Sequence, residues 1–167
     1  MKLLQLLEYC DERLKVTEFD DYCPNGLQVE AGETVQRVVS GVTASLGMIE
    51  QAIEAEADLL LVHHGYFWKG EAAPLVGLKG RRIRRLIQAG VNLMAYHLPL
   101  DAHPELGNNV GLGRALSIQD AAPLARSLVW GGRLAQTSSA DALAEQIEQR
   151  LDRKPLVLNP SSRIERI

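Results

Sequence analysis

Leu3, Leu4, Leu6, Leu7 and Leu14 recur at helical spacing, so the pattern predicts an amphipathic helix at the start of the chain. The polar Asp20-Asp21-Tyr22-Cys23-Pro24-Asn25-Gly26 segment stops it and reads as a loop. Val35 to Val42 carries a strand pattern. Thr43 to Ala57 reads as the helix after it, with Thr43 or Ser45 placed to cap the first turn. Asp58 leads into the apolar run Leu59-Leu60-Leu61-Val62, a buried strand. Gly77 to Gln88 is helical, Gly90 is its natural stop, and Val91 to Tyr96 is the next strand. Strand, helix, strand, helix, strand in this order predicts parallel pairing through right-handed crossovers. The fold class is therefore α/β, a mostly parallel sheet flanked by helices.

Beyond this region the periodicity is weaker. Asn109 to Leu116 begins a further helix, and around Ala121 to Ser127 the pattern loosens. A lobe boundary is placed there, with residues 1–124 in a complete or nearly complete first lobe and 125–167 opening a second. Val129 to Leu134 reads as a strand containing a glycine pair. Ser139 to Leu151 reads as a helix with Leu143, Ile147 and Leu151 on one face, and Leu156 to Leu158 as a short strand. Ser161-Ser162-Arg163-Ile164-Glu165-Arg166-Ile167 reads as a turn feeding a new strand, at which the sequence stops. The expectation is a C-terminally truncated chain with an incomplete second lobe.

Composition narrows the class. The 167 residues are 46% hydrophobic and 23% charged, ordinary for a soluble globular protein with a real core. A net charge of -3 and a pI near 5.8 argue against a global nucleic-acid or membrane-surface binder. Cys10 and Cys23 have no CxxC spacing, so a disulfide framework or structural zinc site is not expected, and a reducing, cytoplasmic setting fits. The charged start Met1-Lys2 and the early Glu8 do not resemble a secretory signal, and no apolar run approaches the roughly 20 residues that span a bilayer.

All four histidines lie just after the two strongest apolar runs: His63 and His64 after the first, His97 and His103 around Asp101 after the second. Ligands bind at the C-terminal ends of strands in open α/β sheets, and imidazole with carboxylate suits zinc, iron or manganese. Neighbours in a strand point to opposite faces, so His63 and His64 converge only if the strand has ended, or else reach two different ions. Asp101, held by the stiff Leu98-Pro99-Leu100 connection, is the natural third ligand. By position His97 and His103 suit a supporting or substrate-contact role. Lys79, Arg81, Arg82, Arg84 and Arg85 form a basic run, either a solvated helix face or an anchor for a phosphate-bearing ligand. Tyr66, Phe67 and Trp68 either pack a loop or wall a pocket and stack on a base. No glycine-rich phosphate loop and no GxSxG nucleophile elbow is present.

Val62-His63-His64-Gly65-Tyr66-Phe67-Trp68-Lys69, Ala95-Tyr96-His97-Leu98-Pro99-Leu100-Asp101, Asn108-Asn109-Val110-Gly111-Leu112 and Asn25-Gly26-Leu27-Gln28-Val29 resemble motifs of a dinuclear-metal family. It is known as the GTP cyclohydrolase type 2 homologues, or the NGG1-interacting-factor-like family. Many members carry proline where this chain has Gly65. The resemblance implies two α/β lobes, a toroidal homohexamer, and two divalent ions per full-length subunit facing an interior cavity. It maps the metal ligands onto His63, His64 and Asp101. The family's remaining histidine and glutamate ligands have no counterpart here, which leaves two ions short of ligands in this chain.

On this reading the function is metal-dependent hydrolysis of a nucleotide or related heterocycle. His97 carries protons, and Trp68, Arg81 and Arg82 contact the substrate. The alternatives are a non-enzymatic metal-binding scaffold or regulator acting through protein partners and, with the net charge against it, a nucleic-acid-binding ring.

Overall fold

The computed structural model describes residues 1–125, 127–158 and 163–167. They form two compact units, Met1–Leu100 and Asp101–Ile167. The boundary drawn from the sequence, between 124 and 125, falls inside the second unit.

The first unit is built on a four-stranded sheet. Helix α1 (Leu3–Leu14) is followed by β1 (Gly26–Val29), β2 (Val38–Thr43), α2 (Leu46–Glu54), β3 (Leu59–His64), α3 (Gly77–Ala89) and β4 (Asn92–Ala95). The strand order is β1-β4-β3-β2. β2, β3 and β4 are parallel, as the alternation of strand and helix predicts, while β1 runs antiparallel to β4. The apolar pattern predicts no strand at β1, because four residues containing Gly26 and Gln28 carry too little of it. Strand β2 starts later than the apolar pattern suggested: Val35 is buried ahead of it, under α1. Ser45, not Thr43, caps α2. Its side chain accepts from the Met48 N–H, while Thr43 remains in β2.

Strand alternation sorts the core into two layers. Leu60, Val62, Leu93 and Ala95 face α2 and α3, where they meet Ile49, Ala52, Ile83 and Leu86. Leu59, Met94 and Tyr96 face the opposite way and pack with Leu3, Val35 and the flank of α1. The sheet is thus covered on both sides, which is why β3 and β4 read as unbroken apolar runs. Asn92 is fully buried within this packing. Its Oδ1 accepts from the N–H groups of Ala31 and Gly32, and its Nδ2 donates to the Asp58 carbonyl, so each polar atom is satisfied.

Short helix α4 (Leu98–Ala102) follows β4. The second unit contains α5 (Asn108–Ala115), β5 (Gln119–Pro123), β6 (Trp130–Ser139), α6 (Ala140–Leu151) and β7 (Arg163–Arg166). Its sheet is antiparallel in the order β5-β6-β7. On α6, Leu143 is buried whereas Leu151 is 41% exposed, so the predicted apolar face is covered only at its start. Leu156 to Leu158 is not a strand. It is β7 that pairs with β6, leaving Leu156 and Leu158 exposed and without a ladder. The predicted turn at Ser161 and Ser162 lies outside the described residues, and the strand expected after it is β7.

Candidate metal centre

Three of the four histidines gather at the C-terminal end of the first unit's sheet. His63 and His64 close β3, which continues to the end of the pair because Thr43 of β2 is still in register with His64. Convergence therefore did not require the strand to end. The two imidazoles meet nonetheless, with ring centroids 4.4 Å apart and planes tilted by 41°. What stops is the ladder on the other side, whose last β3–β4 pair is Val62 with Ala95. His97, two residues after β4, brings its ring to 5.0 Å from His63 and 5.7 Å from His64. One potential ligand atom from each of the three lies within 4.8 Å of the others.

Hydrogen bonds fix which ring nitrogen can act. His63 Nδ1 lies 2.9 Å from the Tyr96 carbonyl oxygen, which only accepts, so Nδ1 carries the proton and the neutral ring has its lone pair on Nε2. The Tyr96 ring is itself anchored, its hydroxyl donating to Asp11 Oδ1 at 2.7 Å, and burial raises that hydroxyl's pKa. His97 Nδ1 donates to Asp21 Oδ1 at 2.8 Å, again leaving the lone pair on Nε2. His64 Nδ1 lies 3.4 Å from Thr43 Oγ1, a hydroxyl that can serve in either role. His103 has the reverse arrangement. Its Nδ1 accepts from the N–H groups of Glu105 and Leu106, so the proton of the neutral ring sits on Nε2 and the residue shapes its local turn.

Asp21 is the functional residue that sequence reasoning missed. Its side chain is 3% exposed and accepts from His97 Nδ1, Asn25 Nδ2 and the N–H groups of Tyr22 and Leu98. Burial acts to raise its pKa, but the hydrogen bonds, led by that of His97, outweigh burial and hold the carboxyl below its ordinary value. Asn25 Oδ1 in turn accepts the His97 N–H at 2.7 Å. In the sequence the only signal was an Asp-Pro-Asn-Gly-rich turn, which any surface loop shows.

Two donor sets bring ligand atoms close enough for a metal. Asp21, Cys23 and His97 also bring ligand atoms within 4.8 Å. They do not suit an ion, because the Asp21 oxygens already serve four donors. Burial, with Asp21 adding to it, also pushes the Cys23 thiol up to about 11 and keeps it protonated. The adjacent imidazoles of His63 and His64 do fit, with His97 beside them. Imidazoles are borderline ligands suited to zinc, iron, copper or nickel, and His63 donates its second nitrogen to the Tyr96 carbonyl, the usual outer support of a metal-bound histidine.

The remaining predicted residues divide. Trp68 meets His97 edge-on at 5.0 Å and lies 5.9 Å from His64, its Nε1 donating to the Gly65 carbonyl. It thus borders the histidines, whereas Tyr66 is buried and its hydroxyl donates to the Ala44 carbonyl. Phe67 takes φ of 65°, and the Lys79 ammonium sits 5.7 Å from its ring centre. Arg81 is exposed on α3. Arg82 is half-buried beside Tyr66, and its Nε is buried without a hydrogen-bond partner. Arg85 forms a two-pronged pair with Glu50 on α2, and Lys79 donates to the Ala72 carbonyl, so part of the basic run is engaged locally. Asp101 lies in α4, one helical turn after His97, and its Oδ1 accepts from Asn108 Nδ2 at 2.8 Å.

An α/β protein with clustered imidazoles at the carboxyl end of its strands is a metal-binding candidate by architecture. Comparison with known proteins gives the family: the chain belongs to the Duf34/NIF3 (NGG1p interacting factor 3) family, whose family model matches residues 1–167. It is similar to a protein of Allochromatium vinosum named GTP cyclohydrolase 1 type 2 homolog, at 54% identity over 97% of this chain and 65% of the relative. A protein of the same name from Pseudomonas aeruginosa is 47% identical over 99% of this chain and 67% of its own length. The chain thus spans about two-thirds of these relatives. Among solved structures, one described as "Structural genomics, protein ybgI, unknown function" has a TM-score of 0.94 at 44% identity, covering 99% of this chain and 68% of that one. TTHA1606 from Thermus thermophilus has a TM-score of 0.84 at 40% identity, covering 93% and 64%. Among the described residues, no helix is long and apolar enough to cross a membrane.

Proposed function

We propose that the chain belongs to a metal-dependent hydrolase acting on a nucleotide or related heterocycle. The observation that carries this reading is the approach of His63, His64 and His97, with the Nδ1 protons of His63 and His97 committed to Tyr96 and Asp21. His63 and His64, joined by Asp101 on the family resemblance, would hold the ion, which is zinc, iron or manganese. When bound, such an ion supplies Lewis acidity and lets a water ionise near neutral pH. His97 takes up a proton at Nε2 and returns it to the leaving group. Trp68 offers an aromatic edge to a planar heterocycle, and Arg81 and Arg82 meet phosphate oxygens. The names of the relatives point to a purine nucleotide such as GTP, with attack at the imidazole carbon, ring opening and loss of formate. The full-length protein on this reading is a cytoplasmic homohexamer with two ions per subunit.

Metal analysis of the chain purified without chelator, beside His64→Ala, tests the centre. Near-stoichiometric metal that is lost in the variant is expected. A metal-free chain after supply of zinc, iron and manganese refutes the centre as it stands in this chain. Failure of a metal-replete full-length protein to turn over GTP removes that substrate.

A second reading is favoured by the family's name, which refers to an interacting factor: a metal-binding scaffold acting through protein partners. Robust small-molecule turnover with no reproducible partner in pull-downs excludes it.

A further inference from the structure

We propose that Asp21 is a positioning residue for His97: it dictates the imidazole tautomer and so keeps the lone pair on Nε2. The role assigned to His97 rests on the reading above, but the tautomer does not, since it follows from the donor and acceptor count around one carboxylate.

That count is fully specified. Asp21 Oδ1 accepts from the Tyr22 N–H at 2.6 Å and from His97 Nδ1 at 2.8 Å. Oδ2 accepts from Asn25 Nδ2 at 2.8 Å and the Leu98 N–H at 2.9 Å. Asn25 cannot reverse its amide, because its Oδ1 is already taken by the His97 N–H. Three of the four donors are therefore fixed, two by the main chain and one by Asn25. Only His97 can change from donor to acceptor, by moving its proton from Nδ1 to Nε2.

Asp21→Asn exploits this asymmetry. The new amide must place its NH2 at one of the two oxygen positions. At the Oδ2 position it would face two fixed donors. At the Oδ1 position it faces one fixed donor and the switchable ring. The second placement costs less, and in it the NH2 donates to His97 Nδ1, forcing the proton onto Nε2. A carboxylate replaced by its amide inverts a histidine tautomer in the same way in serine proteases. The ring would keep its position and lose the lone pair on Nε2.

With only four histidines, nitrogen NMR of the metal-free protein labelled at histidine resolves each ring. In the unmodified protein His97 is expected to show a protonated Nδ1 and an unprotonated Nε2. In Asp21→Asn the two signatures should exchange for His97, while His63, bonded to the Tyr96 carbonyl, stays as it was and reports an intact fold. In Asn25→Ala the His97 signature should be retained, because Oδ1 of Asp21 is still present. An Nε2-protonated His97 in the unmodified protein overturns the proposal, and this arm decides even if Asp21→Asn fails to fold. An unchanged His97 in a folded Asp21→Asn, or an exchange in Asn25→Ala, overturns it equally. The measurement uses neither metal nor substrate. An inverted tautomer in Asp21→Asn, beside absent GTP turnover by the metal-replete full-length parent, would keep the role of Asp21 and remove GTP as the substrate.

Discussion

Gly65 follows the histidine pair directly, and the structure says why a side chain is costly there. A Cβ at this position would overlap Gln28 Oε1 and lie 2.8 Å from both Gln28 Cδ and Ala95 Cβ. Gln28 is not a loose neighbour: its Oε1 accepts the Tyr66 N–H at 2.7 Å and its Nε2 donates to the Pro24 carbonyl at 2.8 Å. Gly65→Ala must expel this side chain, and losing two hydrogen bonds costs about 2 kcal/mol. The contact with Ala95 remains, because β4 fixes that atom, and overpacking of this kind adds about 1 kcal/mol or more. Reduced freedom of the unfolded chain returns roughly 0.4–1 kcal/mol. The net expectation is about 2–3 kcal/mol of destabilisation, read as a shift of the urea midpoint at constant slope. Gln28→Ala alone should cost about 2 kcal/mol. In the double variant the displaced side chain is already gone, so the two effects should fall short of additive by about 2 kcal/mol, well above the roughly 0.5 kcal/mol scatter of independent sites. Additivity within that scatter refutes the reasoning, as does a Gly65→Ala protein as stable as the parent.

Two further outcomes follow from buried or hydrogen-bonded polar groups. Asn92→Ala deprives the Ala31 and Gly32 N–H groups of their acceptor, so a loss of about 2–4 kcal/mol in urea unfolding is expected, and less than about 1 kcal/mol contradicts the bonding described. Asp58 Oδ2 accepts the N–H groups of Arg37 and Gln36, and these bonds, Arg37 first, lower its pKa in the folded state. Its stabilisation is therefore complete above the ordinary carboxylate range and disappears as pH falls through the lowered value. Unfolding of the parent and Asp58→Ala across acidic pH should show a stability gap that closes toward low pH, and a gap that widens there overturns the assignment.

Much of the first unit was legible along the chain. Leu59 to Val62 and Val91 to Tyr96 announce buried parallel strands because both faces of the sheet are covered, and Gly77 to Gln88 and Gly90 announce a helix and its stop. Elements with weak local signals were not legible. β1 is four residues held by its ladder to β4, and Leu156 to Leu158 is apolar yet has no ladder to join. A strand exists only where a partner supplies hydrogen bonds, and a partner distant in sequence leaves no mark on the local pattern.

The site divides along the same line. The sequence by itself placed His63, His64 and His97 directly after two apolar strand runs, at the end of an α/β sheet where ligands bind. Only the tertiary structure decided that the rings of these adjacent residues of one strand converge. Only it brought Asp21 to His97 across 76 positions and set the proton of that ring. It also separated His103 from its sequence neighbours as a turn-shaping residue. The physical reason is that an imidazole's chemistry lies in which nitrogen bears the proton. That is settled by the oxygen or N–H opposite each nitrogen, and folding, not spacing, puts those groups there.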